Sequence, residues 1–229
     1  MNRATVFASI DPGYSGVRHF VLVNAMALPV IVWALAQVRA PGAAELCAVP
    51  IALTLANYGE WALHRYLLHR RVPGFHVLFQ RHAVMHHSAF RHDLMAAPSS
   101  REWRWVLFPA PALLGLLALV GPICLGMARL VTANVGALLL ASFVGFYLLY
   151  EWCHLAYHQP EHGVFGRSQV LRWLRLHHQR HHHPRFARSY NFNVTVPLFD
   201  WVRGTDMPPH LCQVVDAEAR HPADDDAEL

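Results

Sequence analysis

Six of the chain's eighteen histidines fall between Glu60 and His87, directly after an apolar segment, and they are spaced like metal ligands. Neutral imidazole offers a lone pair near physiological pH, so spaced histidines suggest a metal site before any other chemistry. On an α-helix His82 and His86 stand about 40° apart around the axis and reach one metal, while His87 points sideways toward a second. His64 and His69 diverge by about 140° on the same geometry, so they are expected to serve different metals or to straddle a helix end. Pro73 and Gly74 break the helix between these groups and let its second half fold back. Two more groups follow: His154 with His158, on one helical face, and His178 with His181 and His182. Structural zinc takes about four ligands, so ten imidazoles exceed one ion and suit a pair with roughly five each. Imidazole serves iron, zinc, copper and nickel alike; two irons are the leading assignment, with zinc as a substitute in a purified sample. A pair of irons at a bilayer surface can reduce dioxygen and so oxidise an unactivated C–H bond of a lipid chain. The bland alternative is a histidine-rich loop without metal, and the repetition of spaced groups weighs against it.

Acidic residues near these groups are candidates to hold ligand ring N–H groups. Glu60 and Glu151 precede His64 and His154 by one helical turn, and Asp93 and Asp200 lie close to other clusters. Each also reads as a solvated helix-end acid, or for Asp200 as the anchor of a closing loop. His76, His92, His162, His177 and His183 fall outside the ligand groups, with His177 the nearest to inclusion. Tyr147, Tyr150, Phe143 and Phe146 read first as packing residues and second as the lining of a lipid pocket.

The elements that must position these groups are membrane helices. With 229 residues, 54% hydrophobic and 15% charged, and a mean hydropathy of +0.22, the chain is one domain long and too apolar for an ordinary soluble protein. Its basic residues are all arginine, and a net charge of +4 without a basic tract excludes a nucleic-acid partner. Cys47, Cys124, Cys153 and Cys212 form no C-x-x-C pair and are expected to be small buried side chains. Residues 1–17 are expected to be a cytoplasmic lead, neither signal peptide nor packed element. Apolar spans are expected at His19–Gln37, Leu46–Trp61, Val106–Ala128 and Leu130–Tyr150, with Trp103 and Trp105 at an interface. Short turns at 39–45 and near 129 make two hairpins of them. Arg39 and Arg129 lie on those turns and the other seventeen of nineteen arginines on the opposite side, which the positive-inside rule makes cytoplasmic. The expected fold is therefore all-α and integral to the membrane: four transmembrane helices in two hairpins under a cytoplasmic, histidine-rich helical cap, with both termini cytoplasmic. Arg167–Arg180 has the pattern of an amphipathic surface helix, and residues 206–229 end in D-D-D-A-E-L as a flexible acidic tail.

Four strings in this order resemble a known family. G-E-W-A-L-H-R-Y-L-L-H, R-H-A-V-M-H-H, Y-E-W-C-H-L-A-Y-H and L-H-H-Q-R-H-H-H, followed by Y-N-F-N-V-T-V-P-L-F-D-W-V-R-G-T, are similar to the histidine boxes and closing signature of the membrane fatty acid hydroxylase and sterol desaturase superfamily. The likeness covers about residues 45–205, within a membrane domain drawn at 18–205. It implies ligand roles for His64, His69, His82, His86, His87, His154, His158, His178, His181 and His182. It further implies two iron ions, dioxygen as co-substrate and hydroxylation or desaturation of a fatty acyl chain, sterol or carotenoid. Electrons would come from a separate ferredoxin-like or cytochrome-type partner, since no haem domain is fused. Two rival readings are a three-box acyl desaturase, against which the fourth histidine group stands, and a metal transporter or sensor without redox chemistry. A transporter should carry ionisable groups at mid-membrane, where these spans have almost none.

Overall fold

Side-chain caps fix where three of the helices begin. Ser15 Oγ accepts from Arg18 N, Thr132 Oγ1 from Val135 N and Ser168 Oγ from Leu171 N, each satisfying an amide that the helix itself leaves unpaired. The computed structural model describes residues 2–160 and 168–220, and no strand occurs among them. Its main helices are α1 (Arg3–Ala8), α2 (Gly16–Gln37), α3 (Ala48–Leu63), α4 (Pro111–Leu130), α5 (Ala133–Tyr157), α6 (Gln169–His181), α7 (Leu198–Arg203) and α8 (Pro209–Arg220).

Four helical stretches are long and apolar enough to cross a membrane: α2, α3 with its flanks (Ala43–Leu68), α4 and α5. Their apolar windows are only 17, 28, 17 and 50% buried inside the protein, so most of that surface faces outward, as a lipid environment requires. The most buried of them, α5, is the hub, packing against α2, α3 and α4. A β-carbon at Gly136 would stand 2.5 Å from both the Ala128 β-carbon and the Cys124 carbonyl, so glycine there lets α4 and α5 approach closely. At one end of the bundle Asn134 ties two turns together, donating to the Arg39 carbonyl (3.0 Å) and accepting from the Arg39 amide (2.8 Å). The histidine segments collect at the other end.

Boundaries depart from expectation where polar residues enter helices. α5 runs seven residues past Tyr150 and takes His154 into its last turns, and the third span starts at Pro111 because Glu102–Trp105 form a 3₁₀ turn. Two expectations are corrected. Residues 1–17 include a packed element: α1 is capped by Asn2, buries Val6 fully against Phe90 and Leu107, and its Arg3 donates to the Leu94 and Ala96 carbonyls. The chain after 205 is not a flexible tail throughout, because α8 buries Val215 and holds Arg180 through Asp216 at 2.8 and 3.0 Å. α1, at six residues, is too short to advertise an apolar face in the sequence, whereas α8 is amphipathic over twelve residues set between prolines and acids. A smaller departure is Cys47, expected to be buried and found exposed. Arg167, His162, His221 and the terminal acidic run lie outside the described residues. The amphipathic helix itself is α6, with Val170 and Trp173 exposed and Leu174 buried.

Candidate metal centre

Two π-helical segments, His64–Leu68 and Gln80–His86, determine how the imidazoles are shared. A π-helix carries more residues per turn than an α-helix, so residues five apart come onto one face. Of the two alternatives for His64 and His69, the second holds: they straddle a helix end, with His69 the C-cap of the first π-helix, and point to one place. The pairing of His82 with His86 is overturned, since His82 joins His87. The ten sequence-predicted histidines fall into two groups: His64, His69, His82, His87 and His181 in one, His86, His154, His158, His178 and His182 in the other. Within each group the ligand atoms lie within 4.8 Å of one another. The groups abut, with the rings of His82 and His86 stacked 5.0 Å apart and those of His87 and His182 4.3 Å apart. α6 serves both, because His178 and His182 share a face while His181 is turned to the other group.

The hydrogen bonds define which ring nitrogens carry protons. A carbonyl can only accept, so each Nδ1 that meets one must donate: His64 to Phe192, His86 to Trp105, His158 to Met95, His181 to Tyr190 and His182 to Phe90. The Nε2 atoms of these neutral rings are then bare lone pairs. Yet His86 Nε2 faces His182 Nε2 at 3.1 Å, with no proton available to join them. His158 Nε2 is buried with no hydrogen-bond partner at all. Converging lone pairs in a buried site repel one another unless a cation lies among them, so the donor set fits metal ions and does not fit an empty polar core.

Burial keeps the rings neutral. It holds His69, His82, His86, His87, His158, His178 and His182 well below the ordinary histidine range, and their crowding by one another adds to this. Burial likewise brings His181 to about 4. Ligand lone pairs are therefore available without competition from protons at neutral pH.

None of the four candidate acids bonds a ligand ring. Asp93 pairs with Arg91 at 3.1 Å, away from both groups. Glu151 accepts from the Phe108 amide at 3.0 Å. Glu60 takes the amides of Val194 and Thr195 and the Thr195 hydroxyl (2.6 Å), which pins the 192–195 loop. Asp200 does hold a histidine, at 3.2 Å, but it is His177, which lies outside both groups. Its other bonds, from the Phe192 and Asn193 amides and the Thr205 hydroxyl, fix the same loop. The work anticipated for acids is done by main-chain carbonyls, two of which, Tyr190 and Phe192, stand just before that loop and at its start. This gives the closing N-F-N-V…D-W-V-R-G-T string its physical role. Asn191 (φ 58°) and Gly204 (φ 63°) take left-handed backbone at the two ends of this string.

Against both groups lies a small cleft lined by Leu68, Leu78, Arg81, Trp105, Phe108 and Tyr150 together with His82, His86 and His154. Tyr150 thus lines the cleft as the alternative reading had it, whereas Phe143 packs among α3, α4 and α5.

The model of the fatty acid hydroxylase family matches residues 49–205. The chain belongs to the fatty acid hydroxylase family. The solved structure of full-length scs7p, in which only the hydroxylase domain is visible, shares its fold with a TM-score of 0.58 and 22% identity, over 83% of this chain and 67% of that one. No curated protein sequence matches the chain. Membership in this hydroxylase family sets the three-box desaturase aside, and with four candidate spans it makes the chain an integral membrane protein and a lipid hydroxylase by family.

Proposed function

We propose that this hydroxylase-family chain holds two metal ions, iron in the cell, one in each group of five histidines. It oxidises a C–H bond of a membrane lipid, by hydroxylation or desaturation, with dioxygen as co-substrate and electrons from a separate ferredoxin-like or cytochrome-type donor. The observation that carries this reading is the convergence of unprotonated Nε2 atoms, above all His86 and His182 at 3.1 Å. Five nitrogen donors exceed the about four that zinc prefers, and imidazole suits iron. Bound there, a redox-active pair supplies the reductive activation of dioxygen that an unactivated C–H bond demands.

The chain's own residues prepare the site. Five backbone carbonyls fix the tautomers, so each Nε2 points inward before any ion arrives. Leu68, Leu78, Trp105 and Phe108 offer apolar contact to a methylene chain in the cleft, whose lining also includes the His86 and His154 rings. Mass spectrometry of lipids from cells with and without the protein tests the activity. A gain of one oxygen identifies hydroxylation, a loss of two hydrogens identifies desaturation, and unchanged lipids would sink the proposal.

We also place the histidine cap and both termini on the cytoplasmic side. The arginine asymmetry supports this, as does the Asn134 link that sets Arg39 beside the start of α5, at the far end from the cap. Single cysteines at Arg39 and Arg172 are expected to label from opposite faces of sealed vesicles; labelling from one face would refute the topology.

A further inference from the structure

We propose that His92, His183 and Glu218 form an additional divalent-cation site, separate from the ten histidines, that clamps α8 onto the cap. Their ligand atoms lie within 4.8 Å of one another. The rings of His92 and His183 are 4.5 Å apart, and His183 Nε2 is 2.6 Å from Glu218 Oε2. His92 is the independent sign of a ligand. It is 6% exposed, and among the described residues neither of its ring nitrogens has a hydrogen-bond partner. A neutral imidazole in that position leaves a donor and an acceptor unsatisfied, an expense that buried groups rarely carry without a bound ion or water. Asp93 Oδ1, 4.0 Å from His92 Nδ1, adds negative potential from the flank. Two imidazoles and a carboxylate with a partly open side match a zinc-type site completed by water.

The protons can be followed. The Arg185 amide donates to His183 Nδ1 at 3.3 Å, so without an ion Nε2 carries the ring proton and donates it to Glu218. A cation at Nε2 displaces that proton to Nδ1 or to solvent, giving up the long Arg185 contact and exchanging the hydrogen bond for two metal bonds. The three segments so joined are significant. His183 directly follows His182, His92 lies five residues after His87, and Glu218 comes from α8. An ion here would brace, from outside, two of the segments that carry the ten histidines.

The test is zinc stoichiometry of the full chain, purified in detergent, equilibrated with Zn²⁺ and counted by plasma mass spectrometry. His92→Ala and Glu218→Gln are each expected to bind one equivalent fewer than the unaltered protein. Glu218 is exposed enough to be replaced safely, and glutamine still accepts the His183 hydrogen bond, so the fold is retained while the anionic ligand is lost. The difference is independent of how many ions the ten histidines hold, so it stands even if the two-metal proposal fails. Equal zinc counts in the unaltered protein and both variants would overturn the site.

Discussion

Replacing His154 with alanine is expected to lower the metal content from two ions per chain to about one and to reduce lipid oxidation at least about 100-fold. The change removes one imidazole of the second group, from the lining of the cleft, where its Nε2 lies 3.2 Å from that of His86. Neighbouring Leu155 and Ala156 offer no replacement donor. Loss of a residue that merely orients a ligand typically costs about 10–100-fold in metal affinity or activity, and loss of the ligand itself exceeds that. His154 packs at the end of α5, away from the apolar midsection of the bundle, so the helices should still assemble. His221→Ala is the matched control and should leave metal content and product unchanged. Metal analysis with lipid mass spectrometry decides the matter: a His154→Ala protein that keeps both ions and full activity would remove the basis of the two-metal reading.

Asp200→Ala is expected to destabilise the protein by on the order of 3–5 kcal/mol and to release metal from the first group preferentially. Asp200 is fully buried and accepts from two backbone amides, a threonine hydroxyl and His177, so truncation strands several donors at once. The Thr205 hydroxyl also receives the indole N–H of Trp61 at 2.9 Å, which carries the disturbance to α3. Once Phe192 and Tyr190 shift, His64 and His181 lose the carbonyls that hold their Nδ1 protons. Asp200→Asn should fall between, since an amide keeps one acceptor but turns a donor toward groups that also donate. Thermal denaturation in detergent with and without added metal measures both effects. A wild-type melting temperature for Asp200→Ala would show that the loop is held by other means.

These two residues illustrate what the sequence disclosed and what it hid. All ten grouped histidines and the four spans were legible, because imidazole pairs and uninterrupted apolar runs leave direct marks in residue type. The partition of the histidines was not. An α-helical wheel places His82 with His86, and nothing in Q-R-H-A-V-M-H announces that the local winding is looser. The partners of the rings were hidden for a different reason. Glu60, Asp93, Glu151 and Asp200 were the visible candidates, but the groups that accept the Nδ1 protons are carbonyls, which every residue possesses and none advertises. Helix α1 escaped because six residues with one buried valine show no period, and α8 because the prolines before it and the acids after it mask the apolar face of its twelve residues.

The wider winding at His64–Leu68 and Gln80–His86 bears on how such a centre can change over generations. Five rings take their tautomer and direction from main-chain carbonyls, so the residue that contributes a carbonyl can change while Glu60 and Asp200 keep the backbone in place. Length is not free. Deleting one residue from either segment would return the local winding to 3.6 residues per turn and rotate the following imidazole toward the wrong partner set. A centre of this kind tolerates exchange of the residues that lend it carbonyls and punishes a single-codon indel.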